Sequence, residues 1–257
     1  MKRVSIIGTV GVPANYGGFE SLVENIIGYN SPVDIHYTVY CSAKSYPHRQ
    51  SVYKNADLRY VPLDANGSQS ILYDIVSLIK ATKKSDVILI LGVSGCCFLP
   101  IYRLFSKKRL VINIDGLEHR REKWGKYAKA FLKFSEKMAV KYADAVIADN
   151  KGIQDYVREE YGKEAELIAY GGDHVLCDIA DVEEQILEKY GLKNISYSFS
   201  LCRIEPENNV HVILEAFKAS GKELFFVGNW NRSPYGKSLL DKYARYGNIH
   251  LLSPIYD

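Results

Sequence analysis

The sequence predicts an α/β protein with parallel sheets, organised as two domains of which the second is cut short. Three observations carry the prediction. Short apolar runs alternate with amphipathic stretches along the whole chain. The first run opens through a glycine-rich turn into a helix. The alternation pauses once, at Tyr170-Gly171-Gly172-Asp173-His174, and then starts afresh.

Residues 4–30 set the pattern. VSIIG is β-branched and apolar, short enough for a buried parallel strand. FESLVENIIGYN places Phe19, Leu22, Val23, Ile26 and Ile27 at helical spacing. Between them TVGVPANYGG ends in Gly17-Gly18, directly ahead of the helix. Bare glycines admit a ligand to backbone N–H groups, and a helix N-terminus carries partial positive charge. Together they make a place for phosphate or another anion. A tight turn that any α/β fold needs is the alternative. Gly8 and Gly11 give G-x-x-G where a dinucleotide fingerprint needs G-x-G-x-x-G, and no Gly-Lys-Ser/Thr follows to make a Walker A loop.

Further strands are predicted at 35–41, 58–62, 87–91, 110–114, 145–148 and 166–169, and helices at 69–83, 98–105, 123–142 and 151–160. Ligands of such sheets bind beyond the carboxyl ends of the strands. That singles out the loops 8–18, 92–97 (with Ser94), 115–122 and 149–152. Beyond Gly172 a charged helix at 181–189 leads into a second series, with strands at 197–201, 224–228 and 249–252 and helices at 210–219 and 235–246. Three strands are too few for a complete doubly wound sheet, so the second domain is expected to be cut short. The expected domains are 1–172 and 173–257.

Bulk properties exclude several classes. The chain has 257 residues, 47% of them apolar, enough for a sizeable core. A net charge of +3 does not suggest a general nucleic-acid binder. Five cysteines, without C-x-x-C spacing, indicate neither a disulfide framework nor a zinc site. MKRVSIIGTV is too short in its apolar part for a signal peptide, and no run approaches a membrane span. A soluble, reduced, cytoplasmic protein is expected.

Three further motifs could carry chemistry. Asn113-Ile114-Asp115-Gly116-Leu117-Glu118-His119-Arg120-Arg121 follows a strand and gathers carboxylates, a histidine and arginines, able to hold a proton or orient a hydroxyl. Alternatively Asp115-Gly116 only turns the chain and Glu118 pairs with Arg121 in solvent. Leu201-Cys202-Arg203-Ile204-Glu205-Pro206-Glu207-Asn208-Asn209 again joins a strand to a helix, and Arg203 could clamp a phosphate. A surface loop capped by Asn208 or Asn209 is its alternative. In the helix at 123–142, Lys126, Lys129, Lys133, Lys137 and Lys141 recur every three or four residues and share a face. With Arg103, Lys107, Lys108 and Arg109 they form a basic patch that could rest on anionic lipid, or a plain solvated face.

The stretches GVPANYGGFE, NIDGLEHRREKWGKYAK, KYADAVIADNKGIQDY, AYGGDH, RIEPENN and VGNWNRSPYG, spread over nearly the whole length, resemble the retaining GT-B glycosyltransferases. More narrowly they are similar to the bacterial rhamnosyltransferase group that builds capsular and O-antigen polysaccharide. The resemblance implies two Rossmann-like domains, an acceptor-side N-terminal one and a nucleotide-sugar-binding C-terminal one. It matches Gly17 and Gly18 to the glycine pair that approaches the donor diphosphate, and Arg203 to the arginine of a diphosphate clamp whose lysine is here Asn208. Where the class carries a histidine that contacts the donor sugar, this chain has Asp115, the candidate catalytic residue, with His119 a turn later. Glu20, Glu118, His119 and Ser94 are candidates for the acceptor or the cleft. The class also carries two glutamates eight positions apart, later in its C-terminal domain; no such segment precedes Asp257, so a molecule ending there would lack half the donor pocket.

The activity so implied is metal-independent, retaining transfer of a sugar, L-rhamnose from dTDP-rhamnose, to a lipid-linked saccharide. No cofactor is implied beyond the nucleotide-sugar substrate. Peripheral contact with the inner face of the cell membrane would run through Lys126, Lys129, Lys133 and Lys137, and no nucleic acid is involved. Two other classes stay open: a nucleotide-binding oxidoreductase or epimerase, and a non-catalytic binding remnant.

Overall fold

The computed structural model describes residues 1–15, 17–29, 34–114, 116–173, 176, 184–192 and 195–255. The chain divides into two compact units, Met1–Gly171 and Gly172–Asp257.

The first unit is built on β1 (Lys2–Ile7), α1 (Gly18–Gly28), β2 (Ile35–Ser42), β3 (Val52–Tyr53), β4 (Ala56–Val61), α2 (Ser70–Thr82), β5 (Val87–Leu91), α3 (Leu99–Phe105), β6 (Arg109–Asn113), α4 (Lys126–Tyr142), β7 (Ala145–Ala148), α5 (Lys151–Tyr161) and β8 (Glu166–Leu167). Its sheet has the order β3-β4-β2-β1-β5-β6-β7-β8. Every pairing is parallel except that of β3 with β4.

Successive residues of a strand face opposite sides, and here both sides are covered. Ile6 packs with Val23 and Ile27 of α1, whereas its neighbour Ile7 packs with Tyr73 and Leu78 of α2, Leu99 and Tyr102 of α3, and Ala139 and Val140 of α4. The continuous apolar runs follow from that double burial. In register, Ile6 lies beside Leu89 and Ile88 beside Leu110, which aligns the carboxyl ends of β1, β5 and β6.

Helix ends are set by local chemistry. Asn150 caps α5 by accepting the Ile153 amide hydrogen at 3.0 Å, and the helix stops at Gly162 in the left-handed conformation. The start of α4 falls at Lys126, three residues later than periodicity suggests, because Lys123 and Trp124 are held by Glu118. β8 is two residues long, shorter than expected.

The second unit contains α6 (Glu184–Lys189), β9 (Ser198–Leu201), α7 (Val210–Ser220), β10 (Leu224–Val227), α8 (Pro234–Tyr243) and β11 (Ile249–Leu252). Residues 181–183 of the predicted helix lie outside the described residues. The three strands are parallel in the order β11-β10-β9. Leu214 of α7, Phe226 of β10 and Leu239 and Tyr243 of α8 form its core. Ser233 caps α8, its side chain accepting the Gly236 amide hydrogen at 3.1 Å, with Pro234 in the first turn. β9 is an edge strand among the described residues, and Phe199 and Leu201 on it are exposed.

Candidate functional site

The loops at the carboxyl ends of β1, β5 and β6 meet on one edge of the first unit. Gly17 precedes α1 with φ 113°, a region that favours glycine, and a Cβ there would lie 2.2 Å from Glu20 Oε2. Gly18, by contrast, faces open space: nothing lies within 4 Å of where its Cβ would be. A Cβ on Gly92 would sit 3.7 Å from the Phe19 ring, so the loop after β5 adjoins the start of α1. Tyr73 anchors the first loop from beneath, donating to the carbonyls of Thr9 and Tyr40 at 2.9 and 2.8 Å.

Glu20 points into the fold. It is 6% exposed, and its Oε1 accepts from the Thr9 hydroxyl and the Val10 amide, both at 2.7 Å. The carboxylate thus ties the turn to the helix it precedes. Ser94 is half-buried, and its loop is held from two sides. Ser135 of α4 donates to the Val93 carbonyl at 2.5 Å, and Asp74 of α2 accepts from Gly95 N–H at 3.2 Å. Asp74 is buried, and burial pushes its carboxyl up to about 8, the Gly95 hydrogen bond opposing but not cancelling the effect.

Asp115 lies outside the described residues. Glu118 clasps its loop, accepting from Arg121 at 2.8 Å and from the Trp124 indole at 3.0 Å, with Lys123 2.9 Å away. Burial raises its carboxyl, but these partners outweigh burial and leave it below its ordinary value. The Glu118–Arg121 pair foreseen as solvated is therefore half-buried and also structural. His119 places Nδ1 3.1 Å from Glu136 Oε2.

Glu136 is a buried carboxylate that sequence inspection missed. It is 2% exposed, and its Oε1 accepts from the hydroxyls of Tyr156 at 2.6 Å and Tyr161 at 2.5 Å. Burial first, and the hydrogen bond to Glu136 second, raise both phenols, so they stay protonated donors. A signal was present: Glu136 shares the apolar stripe of α4 with Leu132, Ala139 and Val140, where a carboxylate needs partners.

The expected lysine face of α4 divides. Lys133 lies 2.8 Å from Glu160 and also hydrogen-bonds the Tyr156 hydroxyl, which fastens α4 to α5. Its charge is paired within the fold, with a third of the side chain exposed. Lys129 is half-buried, while Lys126, Lys137 and Lys141 are exposed.

In the second unit Arg203 follows β9. Its side chain is 51% exposed, with Glu205 Oε2 4.0 Å away. Asn208 donates its side-chain N–H to the Arg203 carbonyl at 2.7 Å. It braces the loop. Asn209 stands before α7 with φ 53° and makes no side-chain cap. A depression lined by Tyr29, Asp34, His36, Lys54 and Asp57 lies at the amino ends of β2 and β4, the edge away from these loops. Among the described residues no group of three or more His, Cys, Asp or Glu could hold a metal ion, and no helix is long and apolar enough to cross a membrane.

Solved structures share this architecture. Sucrose-phosphate synthase from Thermosynechococcus elongatus is similar with a TM-score of 0.78 at 14% identity, over 99% of this chain and 71% of that one. Anabaena HepE in complex with UDP-glucose matches with a TM-score of 0.68 at 14% identity, over 100% and 70%. UDP-GlcNAc 2-epimerase from Neisseria meningitidis, bound to UDP-GlcNAc, matches with a TM-score of 0.57 at 14% identity, over 100% and 73%. The chain has the GT-B type of fold, two Rossmann-like units with the second one partial. Residues 1–173 match the family described as a domain of unknown function, DUF1972, and the chain belongs to that family. No curated protein matches it.

Proposed function

We propose that this protein is a glycosyltransferase that moves a sugar from a nucleotide-sugar to a lipid-linked saccharide. The observation that carries the proposal is the turn 8–18, which leaves Gly18 open at the amino end of α1 on the carboxyl edge of the sheet. Gly17 at the N-cap makes no side-chain cap to the helix, and the helix dipole favours an anion. As the sugar bond breaks, charge builds on the departing diphosphate. Fixed donors aimed at that oxygen stabilise the transition state. Arg203 is the cation that the resemblance assigns to the same diphosphate, and Asp115 the group it assigns to the donor sugar. Transfer is retaining and needs no metal. UDP and UDP-glucose in HepE, and UDP-GlcNAc in the epimerase, support a nucleotide-sugar as the ligand. The narrower motifs favour L-rhamnose from dTDP-rhamnose, in capsule or O-antigen synthesis, by a cytoplasmic protein resting on the inner face of the membrane.

The test is a thermal-shift series with dTDP-rhamnose, UDP-glucose, GDP-mannose and NAD. A nucleotide-sugar raises the melting temperature of the wild type. Gly18→Val is expected to melt near the wild type without ligand, since nothing lies within 4 Å of its Cβ, and to lose the ligand shift. A shift with NAD alone would refute the proposal. The epimerase-like neighbours make a second reading worth separating: turnover of UDP-GlcNAc without an acceptor would favour it.

A further inference from the structure

Helices α3 and α4 pack on each other over one face of the first sheet, where Leu99, Tyr102, Ala139 and Val140 join a single core. Their outer faces carry large apolar side chains that nothing described covers. On α3, Leu104 is 85% exposed, and Ile101 and Phe105 are more than half exposed. On α4, Tyr127 is 95% exposed and Phe134 half exposed. Helical spacing puts Tyr127, Ala130, Phe134, Lys137 and Lys141 on one side of α4, and all five are exposed. A scattered exposed leucine is ordinary; several large apolar groups on two packed helices mark a contact surface.

Charge identifies the partner. Lys126, Lys137 and Lys141 of α4 are exposed, whereas Lys133 and Arg103 are paired with Glu160 and Asp144, and the one acidic residue of the two helices, Glu136, is buried. Lys107 and Arg109, also exposed, follow directly on α3. A second copy would bring like charges together. An anionic bilayer satisfies both features: apolar side chains enter the headgroup and acyl boundary while the lysine ammonium groups meet lipid phosphates.

We propose that the outer face of α3 and α4 docks on an anionic lipid surface, with Leu104, Phe105, Tyr127 and Phe134 inserted and Lys137 and Lys141 on the headgroups. This replaces the lysine set expected from spacing alone, since Lys133 is paired within the fold. It deepens the transferase reading and rests on it for the substrate's lipid anchor, though not for vesicle binding itself.

The experiment is co-sedimentation of the whole protein with phosphatidylcholine vesicles, with and without phosphatidylglycerol. The wild type is expected to pellet with the anionic vesicles and to be released by salt. Leu104→Ser with Phe134→Ser should weaken binding by about tenfold or more. Lys137→Glu with Lys141→Glu should do likewise, and both pairs should melt like the wild type. Wild-type protein that stays in the supernatant, or paired variants that pellet as it does, would overturn the proposal. So would a dimer, seen by light scattering, that Leu104→Ser with Phe134→Ser abolishes while vesicle binding is absent. Absence of any nucleotide-sugar shift in the wild type would sink the transferase reading and leave the vesicle result intact.

Discussion

Replacing Asp74 by asparagine should raise stability, and only in one pH range. Asp74 lies on α2 under the loop after β5, buried, with Gly95 N–H at 3.2 Å from Oδ2. Burial holds its proton to about 8, from an ordinary value of 3.8. Between those values the native protein keeps a proton that the unfolded chain has lost. Stability therefore falls as pH rises through that window, by at most about 1.4 kcal/mol per pH unit, and is level above it. Asparagine has nearly the same shape, still offers Gly95 an oxygen and never ionises. Urea unfolding followed by circular dichroism should find Asp74→Asn close to wild type near pH 4.5 and about 2–5 kcal/mol more stable at pH 8, the exact gain set by how far the site relaxes around the charge. Parallel stability–pH curves for the two proteins would refute the reasoning.

Glu136→Leu removes the acceptor of two phenols and His119 and the neighbour of Lys133, so it should cost about 3–5 kcal/mol, read as a fall in melting temperature. Glu136→Gln keeps part of the network and should cost about half as much. Gly17→Ala combines a left-handed backbone with a clash against Glu20 Oε2 and should cost about 1–3 kcal/mol, whereas Gly18→Ala should melt unchanged.

Much of the fold was readable because apolar runs have sharp edges. The strands Val87–Leu91 and Ala145–Ala148 fall where the runs do. β3 escaped because it is two residues long and turns into β4 through Lys54-Asn55, with Lys54 at φ 49°, a position for which asparagine or glycine would have been the usual sign. The site was less readable, since a side chain's direction depends on partners remote in sequence. Glu20 beside two glycines looks ready for a ligand, yet Thr9 and Val10 claim it. Lys133 keeps the rhythm of its neighbours, yet Tyr156 and Glu160 capture it. Glu136 stayed hidden among those lysines, although its place on the apolar stripe betrayed it.

The outer row of amide and carbonyl groups along β9 has a consequence for handling the protein. β9 has only β10 beside it among the described residues, with Phe199 and Leu201 exposed. Such a rim is a template on which any extended chain can crystallise a new strand. Whatever shields it in the cell, concentrated solutions should be kept cold and dilute enough that strangers do not find it first.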